Sequence, residues 1–217
     1  MTLTAVEPMP ALVLIDLQKG ITATTKHSMP DIVARAAALA SAFRRRGLPV
    51  VLVNVTAGSA HGRTDAQRAG KARRVRLDGW TDLAPELDPQ PADFRVTKST
   101  WGAFYGTELH AYLQERGVTQ MFLGGVATSI GVESTARAAF ERGYHVVLVT
   151  DAMTDGNAEA HENSITLIFP RLGETTTTEV VLAVLAPPGD SPEHSLAKGH
   201  PTITRAVAPT KEEREER

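Results

Sequence analysis

The chain has 217 residues, of which 42% are hydrophobic, and this composition is typical of one globular domain of ordinary size or of two very small ones. Its 23 Lys and Arg residues nearly balance its 25 Asp and Glu residues, so neither a nucleic acid nor a membrane surface is expected as a partner. The absence of cysteine excludes a disulfide framework, a zinc–thiolate site, an iron–sulfur cluster and a thiol nucleophile.

The amino-terminal segment does not resemble a secretory signal. Residues 1–10 contain Glu7 and two prolines but no basic residue. No apolar run approaches the roughly 18 residues that a membrane span needs. A soluble protein of the cytoplasm is therefore expected.

Short apolar runs alternate with helical patterns along the chain. The first run, at 11–15, is continuous and β-prone, as expected for a strand that is buried on both faces. Further strands are predicted at 50–54, 94–97, 121–125, 146–150 and 175–177, the last at an edge. Helices are predicted at 31–46, 107–116, 131–142, 157–168 and 178–185, with Thr107 and Asn157 as caps. This alternation predicts an α/β fold with a parallel sheet and helices on both of its faces.

Two segments depart from this pattern. Residues 187–217 are rich in Pro, Gly, Ser and charge, so residues 1–186 are predicted to form the domain and the remainder a flexible or subunit-docking tail. Residues 57–76 are strongly basic and read either as a solvated loop or as a mobile flap that draws in an anionic substrate. The basic side chains of this segment are Arg63, Arg68, Lys71, Arg73, Arg74 and Arg76, against the single acid Asp65.

Residues that directly follow the strands are the candidates for chemistry, because ligands of such sheets bind at the carboxyl ends of the strands. Asp16 follows the first predicted strand and Lys98 follows the third. If both strands are central, the two side chains can meet above the edge of the sheet. They would then form an acid–base pair or a structural ion pair, and Asp16 alone could also be a turn or capping residue.

The stretch 124–131, which reads GGVATSIG, joins a predicted strand to a predicted helix through small residues. Such a turn directs backbone N–H groups and the positive end of the helix into the cleft, which favours an oxyanion or carboxylate site. Tight packing of the helix on the strand is the alternative interpretation. Ser129, with an aspartate near Asp151 and with His161, also follows the chain order of an α/β-hydrolase triad, but the first glycine of that motif is missing.

Signatures of cofactor and metal sites are absent from the sequence. There is no Gly-x-Gly-x-x-Gly and no P-loop lysine, and the seven histidines lack the spacing of a zinc site. We therefore expect no cofactor and no metal.

Several stretches together resemble the isochorismatase-like hydrolase superfamily. They are LVLIDLQ at 12–18, TKSTWGAFYGT at 97–107, GVATSIGVESTAR at 125–137, GYHVVLVTDA at 143–152 and FPRLGE at 169–174. The resemblance spans about residues 10–185, and its specificity lies in the order and spacing of these motifs. It implies a Rossmann-like, three-layer α/β/α fold with a mostly parallel sheet of about six strands, usually in dimers or tetramers.

The resemblance also implies a catalytic set of Asp, Lys and a nucleophilic Cys. Asp16 and Lys98 match the first two positions, and Gly131 stands at the position of the missing nucleophile. A cis peptide is implied between Val126 and Ala127. The residues expected to bind a small-molecule substrate are Gln18, Trp101, Phe104, Val126, Ala127 and Thr128.

Gly131 distinguishes between the chemistries of this superfamily. Its amidases form a thioester on the cysteine, which glycine cannot do, whereas its isochorismatases carry glycine and cleave a vinyl ether without a covalent intermediate. The turn GVATS nevertheless resembles the amidase branch, and Val55 stands where isochorismatases have a glutamine.

Three functions follow as hypotheses. The first is hydrolysis of a small anionic or carbonyl metabolite by Asp16, Lys98 and water, with vinyl-ether cleavage as the nearest precedent. The second is amide hydrolysis by activated water or by Thr128 or Ser129. The third is a pseudoenzyme that binds a small ligand or a partner.

Overall fold

The structure, a computed structural model of the chain, describes residues 3–21, 27–56, 64–65 and 78–186. The tail predicted at 187–217 and the six basic residues of segment 57–76 lie outside the described residues. No helix in the described part of the chain is long and apolar enough to cross a membrane.

Six parallel strands form one sheet, as the resemblance implied. The strands are β1 (Pro10–Ile15), β2 (Val50–Val55), β3 (Phe94–Lys98), β4 (Gln120–Val126), β5 (His145–Thr154) and β6 (Gly173–Thr176). Their spatial order is β3-β2-β1-β4-β5-β6. The fifth strand runs four residues further than the sequence pattern predicted, and the predicted edge strand at 175–177 begins two residues earlier.

Helices connect the strands and cover both faces of the sheet. They are α1 (Met29–Arg45), α2 (Leu109–Glu115), α3 (Glu133–Glu141), α4 (Ala158–Asn163), α5 (Phe169–Leu172) and α6 (Thr178–Val184). The predicted helix at 131–142 is preceded by a π-helical turn, Thr128–Val132, and the predicted helix at 157–168 ends in another, Ser164–Ile168. Asn157 caps α4 as predicted, whereas Glu108 rather than Thr107 is the N-cap residue of α2.

The hydrophobic core consists of two layers that share the sheet. Successive residues of β1 point to opposite faces, because side chains alternate along a strand. Leu12 and Leu14 belong to the cluster that contains the buried side chains of α1 and α6. Val13 and Ile15 belong to the cluster that contains those of α2 and α3. These two clusters confirm the predicted three-layer α/β/α architecture.

The centre of the sheet contains the point where the strand order reverses. From β1 the chain goes to β2 and β3 on one side, and then returns to place β4 on the other side of β1. The loops after β1 and β4 therefore diverge and leave a crevice at their carboxyl ends, which is where ligands bind in sheets of this topology. The loop that begins at Asp16 and the turn at 126–131 form the two sides of this crevice.

Candidate active site

A buried ion pair joins the two residues predicted to carry the chemistry. Lys98 Nζ donates a hydrogen bond of 2.7 Å to Asp16 Oδ2 and a second bond of 3.1 Å to the Thr100 carbonyl. The Asp16 and Lys98 side chains are only 7% and 2% exposed. β3 is an edge strand, with β2 between it and β1, so the condition that both strands are central does not hold. The pair forms because the long Lys98 side chain reaches across the end of β2.

The backbone of Asp16 adopts an uncommon conformation. Its φ of 51° lies in the left-handed region, which costs a non-glycine residue on the order of 1–3 kcal/mol and is found preferentially at functional sites. Hydrogen bonds on both sides fix this conformation, from Asp16 N to the Val53 carbonyl and from Gln18 N to the Asp16 carbonyl, both of 2.9 Å. The carboxyl group of this residue contacts Lys98 and lies beside Gly131.

Burial and Lys98 act on the Asp16 carboxyl group in opposite directions, and burial prevails. Desolvation raises the pKa of Asp16 from 3.8 to about 6, although the charge and the hydrogen bond of Lys98 both lower it. Oδ1 of Asp16 is buried and has no hydrogen-bond partner among the described residues. Lys98 thus occupies one carboxyl oxygen, and the other is the oxygen at which the carboxyl group can hold or release a proton near pH 6.

The turn after β4 brings Gly131 against Asp16. The Val126–Ala127 peptide is cis, as the resemblance implied. A Cβ atom built on Gly131 would lie 3.4 Å from Asp16 Oδ2 and 3.4 Å from the Val126 carbonyl oxygen, but 2.9 Å from Cγ2 of Ile15. Gly131, which the resemblance implies to be the position of the missing nucleophile, therefore lies beside the Asp16 carboxyl group.

Glycine is required directly before this turn, at the end of β4. Gly125 has a φ of 122°, and a Cβ there would lie 2.1 Å from the Ile15 carbonyl oxygen. No other residue fits, because the backbones of β1 and β4 approach too closely for a side chain. This close approach places the turn at 126–131 directly beside the loop of Asp16.

Two side chains from the β5–α4 region hold the turn in place. Oδ2 of Asp155 accepts hydrogen bonds from the backbone N and the Oγ of Ser129, at 2.8 and 2.7 Å, and its Oδ1 accepts one from Asn157 N at 2.9 Å. The Thr128 hydroxyl lies 2.9 Å from Nδ1 of His161, and both side chains are buried. The turn is therefore anchored through two consecutive residues.

These contacts bear on the alternative of a serine triad. The Ser129 hydroxyl is bonded to Asp155, and the His161 ring is bonded to Thr128. Asp151 instead accepts hydrogen bonds from the backbone N and the hydroxyl of Thr178, at the start of α6. Ser129 and His161, which a triad would join, are thus hydrogen-bonded to Asp155 and to Thr128, respectively.

Asp155→Asn should destabilise the fold by about 1–3 kcal/mol, since an amide nitrogen in place of Oδ2 would face the Ser129 N–H with a second donor. Urea unfolding monitored by circular dichroism measures the loss. Ser129→Ala is the matched control, because it removes only the hydroxyl contact and should cost about 1 kcal/mol. A D155N protein as stable as the wild type would show that Asp155 does not support the turn.

The other residues predicted to bind substrate occupy different environments. Val126 and Thr128 are buried in the turn, with Ala127 half-buried between them. Trp101 is 64% exposed on the loop after β3, whereas Phe104 lies in the core with its ring 4.8 Å from the guanidinium carbon of Arg142. The structure thus gathers Asp16, Lys98, Gly131 and the 126–128 turn, and roles for Trp101 and Phe104 in binding stay predictions.

Sequence reasoning pointed to the segment that contains Asp155 but not to the residue. The segment 151–155 follows the fifth predicted strand and holds two aspartates, and the chain order of a hydrolase triad pointed only to an aspartate near Asp151. β5 continues to Thr154, so Asp155 is the first residue beyond it and reaches the turn. No group of three or more His, Cys, Asp or Glu side chains that could hold a metal occurs among the described residues. The expectation of no metal stays a prediction.

Comparisons with known proteins agree with the motifs. The sequence model of the Isochorismatase domain matches residues 10–180. The isochorismatase family protein YwoC of Bacillus subtilis is 42% identical over 176 residues, which are 79% of this chain and 92% of YwoC. Nicotinamidase 3 of Arabidopsis thaliana is 32% identical over 161 residues, which are 71% of this chain and 78% of the plant protein. The solved structure of an isochorismatase family protein from Burkholderia thailandensis is 42% identical and superposes with a TM-score of 0.76, covering 83% of this chain and 97% of its own.

Proposed function

Because the chain belongs to the isochorismatase family, we propose that it is a hydrolase that acts through Asp16, Lys98 and water, without a covalent enzyme intermediate. Its substrate is a small anionic or carbonyl metabolite, for which cleavage of a vinyl ether is the nearest precedent. The observation that carries this proposal is Gly131, which leaves no side chain beside the Asp16 carboxyl group, where a Cβ would lie 3.4 Å from Oδ2.

The position of Gly131 argues against a thioester route. Glycine offers no atom that could form a covalent bond to the substrate, and the chain has no cysteine elsewhere that could replace it. A water molecule near Gly131 and the Val126 carbonyl oxygen would be next to the carboxyl group that can activate it.

Asp16 suits the role of a general acid. In vinyl-ether cleavage its carboxylic acid donates a proton to the terminal carbon of the C=C bond, which leaves an oxocarbenium ion. Water then attacks the cationic carbon and returns a proton to the Asp16 carboxylate, and the resulting hemiketal collapses to a ketone and an alcohol. Burial favours the acid before the transfer, and Lys98, at 2.7 Å, stabilises the carboxylate that the transfer leaves behind.

The pH profile tests this assignment. Because the acid form of Asp16 is populated below about pH 6 and is lost above it, kcat/KM should fall about tenfold for each pH unit above 6. Pyruvate released from isochorismate, measured with lactate dehydrogenase and NADH, gives the rate. A rate that instead rises through pH 6 would contradict the general-acid role and would point to Asp16 as a base.

Lysine variants provide the control for this profile. Lys98 lowers the pKa of Asp16, so Lys98→Met should shift the fall of kcat/KM to higher pH. Lys19, whose ammonium pairs with Asp82 at the surface, is the matched residue outside the site. Lys19→Met should leave the pH at which kcat/KM falls unchanged.

Amide hydrolysis is the second candidate, and the Thr128–His161 contact of 2.9 Å favours it. An imidazole at this distance can accept the proton of a hydroxyl nucleophile, and the relative named Nicotinamidase 3 belongs to an amide-cleaving class. In this reaction Asp16 would serve as the base for a water molecule, whereas His161 would serve as the base for the Thr128 hydroxyl. The Ser129 hydroxyl, which is bonded to Asp155, is the other candidate nucleophile. Incubation with nicotinamide followed by mass spectrometry tests for an acyl-enzyme and for nicotinate. Absence of both would exclude nicotinamide as a substrate and leave the first proposal.

A further inference from the structure

Gln18 has an unusually complete set of main-chain contacts. Its side chain is buried, and Nε2 donates to the carbonyl oxygens of Val55 and Trp80, at 3.1 and 3.0 Å. Its Oε1 accepts a bond of 2.8 Å from Val55 N. Both amide hydrogens and one lone pair of the oxygen are therefore used, and the side chain bridges two separate segments of the chain.

These contacts connect the loop of Asp16 to the strand system of Lys98. Val55 is the last residue of β2 and the register partner of Lys98 on β3. The next residue, Thr56, donates its backbone N–H to the Lys98 carbonyl at 3.0 Å. Gln18, two residues after Asp16, thus holds the end of the strand that lies between the two members of the ion pair.

We propose that Gln18 is a positioning residue that sets the separation of Asp16 and Lys98 by clamping the end of β2 to the loop after β1. Lys98 reaches Asp16 from two strands away, so a small displacement of the end of β2 would change the 2.7 Å contact. The importance of these Gln18 contacts for turnover rests on the proposed function, whereas their effect on the Asp16–Lys98 ion pair does not.

The chain contains a matched glutamine for comparison. Gln120 is also buried, and its amide also binds main chain, accepting from Glu7 N at 2.9 Å and donating to the Ala5 carbonyl at 3.0 Å. It is the first residue of β4, at the amino-terminal ends of the strands, whereas Asp16 follows the carboxyl end of β1. Replacing either residue removes a buried amide of the same kind, but of the two only Gln18 binds the end of β2, where Val55 pairs with Lys98 of β3.

Titration of the Asp16 carboxyl carbon by 13C NMR tests the proposal without a substrate. The lead variant is Gln18→Met, whose similar volume limits entry of water, and Gln120→Met is its control. Asp16→Asn assigns the signal. Loss of the Lys98 contact should raise the midpoint in Q18M by about half a pH unit or more, because Lys98 lowers the pKa of Asp16. Q120M should titrate as the wild type does.

The outcomes separate the clamp from the enzymatic proposal. An unchanged midpoint in Q18M, with wild-type folding by circular dichroism, would overturn the positioning role and leave the hydrolase proposal intact. Equal shifts in Q18M and Q120M would also overturn it, because they would reflect general loosening of the fold. If Q18M does not fold, Gln18→Leu and Gln120→Leu are titrated in the same way and judged by the same criteria.

Discussion

Asp16→Asn should lower kcat/KM for the hydrolytic reaction by about a hundredfold to ten-thousandfold, the range that general acid–base groups contribute. Asparagine keeps the size of the side chain but has no proton to donate near neutral pH. Gly131, the neighbour whose Cβ position lies 3.4 Å from Asp16 Oδ2, has no side chain that could supply the proton instead. Pyruvate release from isochorismate, assayed at pH 6 with wild type and variant side by side, measures the loss.

Asp93→Asn is the matched control for this experiment. Asp93 is another buried aspartate in an ion pair, with its Oδ2 2.7 Å from Arg44 Nη2, but it lies just before β3 at the amino-terminal side of that strand. Both variants break a buried pair, so both should lose stability, while only D16N should lose turnover. Equal activity of D16N and wild type would remove Asp16 from the mechanism. If the wild type turns over neither isochorismate nor an amide panel, a ligand-binding pseudoenzyme becomes the better explanation.

The fold could be predicted from the sequence because its signals are local and repeated. The run at 11–15 is apolar throughout, which indicates a strand covered on both faces, and β1 is buried at every position. The carboxyl ends of parallel strands all lie on the same side of the sheet. Polar residues that directly follow such strands therefore lie on that side too, and Asp16 and Lys98 are two of them. Their meeting therefore followed from the alternation of strands and helices and from the placement of these two residues.

Features that depend on lateral order and on burial could not be predicted in the same way. The pattern along the chain does not reveal that β3 is an edge strand. β3 lies two strand spacings from β1, and the two residues meet only because the lysine side chain is long enough to bridge that distance. The balance between burial and Lys98 at the Asp16 carboxyl group depends on how deeply the pair lies in the fold. Asp155 was missed because β5 runs past the apolar run that marked it, to Thr154.

Gly131→Cys should convert the site from the proposed ether cleavage toward amide cleavage. The new Cβ would lie 3.4 Å from Asp16 Oδ2, so the carboxylate can accept the thiol proton above about pH 6. The thiol would also displace the water on which the proposed reaction depends, and pyruvate release should fall at least about a hundredfold. Because the wild type has no cysteine, iodoacetamide should label G131C at a single site, and nicotinamide should form a covalent adduct that mass spectrometry detects.

Gly131→Ala separates the two effects of this substitution. Its methyl group meets Ile15 Cγ2 at the same 2.9 Å, so it carries the same overpacking cost of about 1–3 kcal/mol but provides no nucleophile. G131A should therefore form no adduct. The amount by which pyruvate release in G131C falls below that in G131A measures the effect of the thiol itself, apart from that of the added carbon. If G131C releases pyruvate as fast as the wild type, the reaction does not use the space beside Asp16, and the water-based mechanism loses its geometric basis. If it loses pyruvate release yet forms no adduct, the space is used, but the turn does not hold a thiol in a position to attack an amide.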